Sequence, residues 1–268
     1  MKKVIGLFLL MIIGFSCTKV PMTGRRQMKL ISSSTMQGMS YDAYSSFLDT
    51  NKVIRSGSDY QKVKNAGDKI KTSVMAYMNK RVKYKKRVEG YKWDFNLVQS
   101  NQLNAWCMPG GKVAFYTGIM AACKDETGVA VVMGHEIAHA IAGHGNERMS
   151  QGVAIQLGGV ALTVALSQKP AATRNIFLGA YGIGAQLGGM LPFSRLHESE
   201  ADKMGLMFMA MAGYDPRKAV DFWQRMDELS GGGAPPEILS THPSHKTRIS
   251  NIKKWLPEAM SYYNSSKK

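Results

Sequence analysis

Between residues 59 and 81 the apolar positions Val63, Ala66, Ile70, Val74, Tyr77 and Met78 recur at intervals of three and four. That spacing predicts one buried face of an amphipathic helix. Residues 34–50 read as an earlier helix. The period then changes. Trp93, Phe95 and Leu97 alternate with Asp94 and Asn96, which predicts a strand. Residues 103–108 and 113–116 read as two more strands, with Pro109-Gly110-Gly111 turning the chain between them. A small antiparallel sheet is the expected result. Helical spacing returns at Val129, Val132, Met133, Ile137 and Ile141, and Asp125 is placed to cap that helix. Residues 151–167 and 176–191 are rich in Gly and Ala and strongly apolar. A helix over 194–212 stops at Gly213, Asp215-Pro216 opens another, and 244–264 read as a last helix despite Pro257. The pattern predicts an α+β, mainly helical fold.

The N-terminus reads as a processing segment. Lys2 and Lys3 precede a short apolar run over 4–15, too short to span a bilayer, which makes 1–16 a signal peptide. Gly14-Phe15-Ser16-Cys17 resembles a bacterial lipoprotein box, although Gly14 stands where Leu is usual. Cys17 is therefore the candidate lipid anchor. Residues 17–33 are expected to be a polar tether and 34–268 a single domain. The expected location is the periplasm, on a membrane. Thr18 after the anchor favours the outer one. Export leaves Cys107 and Cys123 either paired or as two buried thiols.

The net charge of +16, from 35 Lys and Arg against 19 Asp and Glu, implies a basic, solvated surface. The densest run, Lys80-Arg81-Val82-Lys83-Tyr84-Lys85-Lys86-Arg87, is expected to end a helix and face water. It carries no nucleic-acid motif, so nucleic acid is not an expected partner.

All six His lie between residues 135 and 245. The sharpest signal is His135-Glu136-Ile137-Ala138-His139, inside a predicted helix. A helix turns about 100° per residue, so the two imidazoles share one face and can grip one zinc ion. Glu136, beside the first, is placed to act as general base toward water. Composition predicts roughly 0.004 chance copies of such a motif in this chain. Zinc needs a third protein ligand. A His at 145, with Gly at 142, would supply it in one known arrangement, but the chain has Gly145 and Ala142. His144 points elsewhere on a continuous helix and reads as structural or as an outer partner of the site. The segment Glu198-Ser199-Glu200-Ala201-Asp202 offers carboxylates instead. Glu198 as ligand puts Asp202 one turn later on the same face, ready to accept from a ligand His. Glu200 is the fallback ligand. Residues 151–193, between the two halves of this site, are either a mobile helical lid or two buried helices.

With these residues in view, the chain resembles the HtpX, CAAX-prenyl-endopeptidase and Oma-type family of gluzincin zinc metallopeptidases, in particular its periplasmic lipoprotein branch. The resemblance runs from about residue 20 to 254. It is carried by Val20-Pro21-Met22-Thr23-Gly24-Arg25, Asn104-Ala105-Trp106-Cys107-Met108-Pro109-Gly110-Gly111, the HExxH, the segment 192–202, and Thr241-His242-Pro243 with Arg248. It implies a zincin-like fold in which peptide substrate adds to a sheet edge over the active-site helix. Val113, Ala114 and Phe115 are the expected edge, with Asn104 and Ala105 nearby. It also implies that His242 either stabilises the oxyanion or closes the zinc as a self-inhibiting ligand. The expected function is zinc-dependent hydrolysis of misfolded or unassembled envelope proteins. A latent-site assembly factor for outer-membrane biogenesis is the alternative.

Overall fold

A computed structural model describes residues 17–184, 191–230 and 247–267. It opens with a hairpin, β1 (Cys17–Lys19) against β2 (Arg26–Met28), registering Cys17 opposite Met28. Gly24 takes the turn at φ 71°, and Val20 N–H closes it on Arg25 O. Val20 and Gln27 are buried. Residues 17–33 are thus packed onto the domain, not a solvated tether; strands of three residues are too short to announce themselves by alternation.

Helix α1 (Ser33–Thr50) begins where the Ser32 hydroxyl accepts from Thr35 N–H. After β3 (Val53–Ile54) comes α2 (Ser58–Asn79), whose buried face includes Val63, Ala66, Ile70, Val74 and Met78, at the predicted spacing. The basic run forms a separate short helix, α3 (Val82–Val88), which buries Tyr84 and Val88.

The sheet adds β4 (Asp94–Val98), β5 (Ala105–Met108) and β6 (Lys112–Tyr116), in the order β3-β4-β6-β5. Two pairings are antiparallel and one, β4 with β6, is parallel. Strand β6 is interior, hydrogen-bonded on both sides. Among the described residues the sheet's edges are β3 and β5, and β5 is the one that packs beside the central helix described next. The expectation that 113–116 is the edge is therefore corrected. Val113, Ala114 and Phe115 are fully buried because β4 returns beside β6, a non-local pairing that alternation within one strand does not reveal.

Short α4 (Met120–Cys123) leads to the central helix, α5 (Glu126–Ala142). Asp125 caps it, accepting from Gly128 N–H at 2.8 Å. Gly143, at φ 78°, ends it. Arg87 does not face water. It donates to the last carbonyls of α5, Ile141 O and Ala142 O, at 3.1 and 3.0 Å, where the helix dipole favours a cation.

Helices α6 (His144–Ala165) and α7 (Ala171–Gly184) follow as a hairpin. Val160, Val164, Ile176 and Phe177 are exposed, so these are not two buried helices. No helix among the described residues is long and apolar enough to cross a membrane. Helix α8 (Leu191–Met211) crosses α5 closely at Gly134 and Gly205; a Cβ on Gly134 would lie 2.7 Å from Gly205 O. Helices α9 (Lys218–Ser230) and α10 (Arg248–Ser266) close the core around α5 and α8, and Pro257 sits inside α10 as expected. Helix α9 starts two residues after Pro216, because Asp215 first closes a turn onto Lys218. Cys107 and Cys123 are unpaired.

Candidate metal centre

The crossing of α5 and α8 brings three donors together. His135 Nε2 lies 3.1 Å from His139 Nε2. Glu198 Oε2 lies 3.3 Å from the first, and Glu198 Oε1 lies 3.4 Å from the second. All three residues are buried. A tetrahedral zinc with bonds near 2.0–2.1 Å spaces its ligands by about 3.3 Å, so the donor set fits such an ion in chemistry and in size. It forms because the helical repeat sets the His pair on one face and the two glycines let α8 approach.

On one side of this triangle, Asp202 Oδ1 sits 2.9 Å from His135 Nδ1. Arg248 donates to Asp202 Oδ2 at 2.7 Å and to Glu198 Oε2 at 3.0 Å, and its guanidinium lies 4.0 Å over the Trp223 ring. Burial pushes the Asp202 carboxyl up, but Arg248 and His135 hold it below its ordinary value.

On the other side, His144 Nδ1 lies 2.8 Å from His139 Nδ1, and its Nε2 lies 3.0 Å from Glu200 Oε2. Arg25 reaches Glu200 and Glu147 from the β1–β2 turn, and Thr23 donates its hydroxyl to Glu200. His197 contacts Glu147 at 2.9 Å and stacks on His144 at 4.2 Å. Burial opposes the charge on Glu200, yet His144, Arg25 and Thr23 bring its carboxyl down to about 2. Burial lowers His144 to about 4, so the ring is neutral near pH 7. Glu200 belongs to this network and lies outside the donor triangle.

Glu136 is buried beside His135. Burial and then the Glu136 charge raise the Cys107 thiol well above its ordinary value. Asn104 is buried just before β5, its Oδ1 accepting from Ala105 N–H at 2.9 Å. His242 and the segment 1–16 lie outside the described residues. Cys17 opens β1 with its backbone opposite Met28. Sequence reasoning did not foresee Thr23, Arg25, Glu147 and His197 as parts of this centre. The Val20-to-Arg25 motif was the available signal for the first two.

Residues 69–256 match the family described as Peptidase family M48. This chain belongs to peptidase family M48. Among its relatives, "Mitochondrial metalloendopeptidase OMA1" of Schizosaccharomyces pombe is 34% identical over 90% of this chain and 66% of that protein. "Metalloendopeptidase OMA1, mitochondrial" of Homo sapiens is 30% identical over 90% of this chain and 46% of its own. A "Putative beta-barrel assembly-enhancing protease" of Vibrio cholerae is 29% identical over 59% of this chain and 33% of its own. The chain thus spans only part of these relatives. The expected periplasmic, outer-membrane location is corrected by the same findings: the relatives matched over 90% of the chain are named as mitochondrial, and the assembly-enhancing protease matches less of it.

Proposed function

We propose that this M48 chain is a zinc-dependent endopeptidase that cleaves unfolded or misfolded polypeptide laid along the free edge of β5. The observation that carries this reading is the donor triangle, with the buried Glu136 next to it on α5, the helix that packs against β5. His135, His139 and Glu198 are the proposed ligands of one zinc per chain, and Asp202 orients His135. Zinc held there would supply a Lewis acid for the scissile carbonyl and for the attacking water. Glu136 is placed to accept a proton from the attacking water and to pass it to the leaving amine. Residues 34–268 make up the catalytic domain in this reading, with the hairpin β1–β2 packed on it.

Strand β5 supports the substrate class. Tyr116 N–H donates to Asn104 O, so in this antiparallel pair the backbone groups of residue 107 point away from β6, to the free edge. A peptide added there must be extended, which selects unfolded chain over folded domains. His242, read from its Pro-flanked motif, is the proposed oxyanion stabiliser. The names of the relatives, metalloendopeptidase and protease, agree with the activity.

The test is Glu136→Gln. This variant keeps one equivalent of zinc by metal analysis and loses cleavage of a denatured reporter protein. Cleavage at the wild-type rate would remove Glu136 as the base.

A further inference from the structure

Each histidine of the donor triangle has a second ring nitrogen, and the two are held differently. His135 Nδ1 meets a carboxylate, Asp202. His139 Nδ1 meets another imidazole, His144, at 2.8 Å. A neutral ring that offers Nε2 to a metal carries its proton on Nδ1. His139 is then the donor, and His144 Nδ1 accepts. The His144 proton must lie on Nε2, which faces Glu200 Oε2 at 3.0 Å. An ionised carboxylate only accepts, so that assignment is self-consistent. Glu200 is fixed in turn by Arg25 Nε at 3.0 Å and Nη2 at 2.8 Å. Each proton along this chain has one position that suits both neighbours.

We infer that Arg25, Glu200 and His144 form a positioning relay that orients His139 and sets the affinity of the metal site. The β1–β2 turn, through Arg25, is thereby part of the centre although none of the three ligands lies on it. This deepens the proposed function and rests on His135, His139 and Glu198 being the ligand set.

Two features make the relay specific. On one continuous helix His144 would sit about 140° round from His139 and could not reach it. Gly143, at φ 78°, turns the chain between α5 and α6 and brings the ring back. His144 is also fully buried, and the His197 ring stacks on it, so water has no access to replace a lost partner.

The experiment compares His144→Phe with His144→Asn by zinc competition against a chromogenic chelator. Phe keeps the ring volume and removes the acceptor. Asn loses volume, but its Oδ1 falls where imidazole Nδ1 was and restores the acceptor. Outer partners of ligand histidines are worth 10–100-fold in metal affinity, so the relay predicts a loss of about that size for H144F and less than about threefold for H144N. The visible spectrum of the cobalt(II)-loaded protein shifts in H144F and overlays wild type in H144N. The reverse order, with Phe tolerated and Asn damaging, would mean that His144 only fills space and would overturn the relay. Glu198→Ala separates the underlying reading. Wild-type zinc affinity in E198A removes the ligand set itself; lost affinity in E198A with unchanged affinity in H144F removes the relay alone. If H144F does not fold, imidazole 15N–1H correlation spectra of wild-type zinc-loaded protein decide the matter. A proton on His144 Nε2 and on His139 Nδ1 is expected, and a proton on His144 Nδ1 rules the relay out.

Discussion

Arg248 lies between the two carboxylates that flank His135, and its removal has a consequence that depends on metal. The side chains of Arg248, Glu198 and Asp202 are 2%, 1% and 4% exposed. Arg248→Met keeps most of the side-chain volume and an apolar contact with Trp223, but leaves both carboxylates without their shared cation. Breaking a buried ion pair by removing one partner costs about 3–5 kcal/mol. In a chain of this size each kcal/mol lowers the melting temperature by roughly 2–4 °C, so metal-free R248M should melt roughly 6–20 °C below metal-free wild type. With saturating zinc the same carboxylates have a second cation beside them, and the gap between variant and wild type should shrink. Calorimetry of both proteins, in chelator and in zinc, reads the two gaps. A gap unchanged by zinc would show that Arg248 does not serve the carboxylates of the metal centre. A metal-free loss below about 1 kcal/mol, the range of exposed pairs, would refute the buried-pair reasoning itself.

Two further outcomes follow from the same geometry. A Cβ at Gly205 would lie 2.7 Å from His135 N, so Gly205→Ala should force α8 off α5, destabilise the fold by about 1–3 kcal/mol and weaken zinc binding; unchanged chelator competition would refute the close crossing as the determinant of ligand spacing. Glu200 is held at about 2 and Glu147 also lies below its ordinary 4.5, so the folded form binds fewer protons than the unfolded chain in that range. Their contribution to stability is complete above about pH 4.5 and is lost as pH falls toward about 2. Urea midpoints measured down that range should fall less steeply in Arg25→Met than in wild type, and parallel curves would count against the network.

The His pair of the donor triangle was legible in the sequence because its spacing is helical, whereas the arrival of Glu198 beside it depends on how α8 crosses α5. His135 and His139 share a face through the helical repeat alone, and so do Glu198 and Asp202, whichever helices carry them. The cap at Asp125, the stop at Gly213 and the buried face of α2 are equally local. What the sequence could not decide was which elements become neighbours. Strand β6 is interior only because β4 pairs with it in parallel, so the edge over the active-site helix passed to β5. His144 appeared to point away until Gly143 turned the chain. Arg25 lay in what looked like a tether until its turn docked against Glu147 and Glu200. Local backbone geometry repeats along a chain and can be counted from its letters. Pairing across long separations is chosen by the free energy of the whole packed core, and only the tertiary structure records that choice.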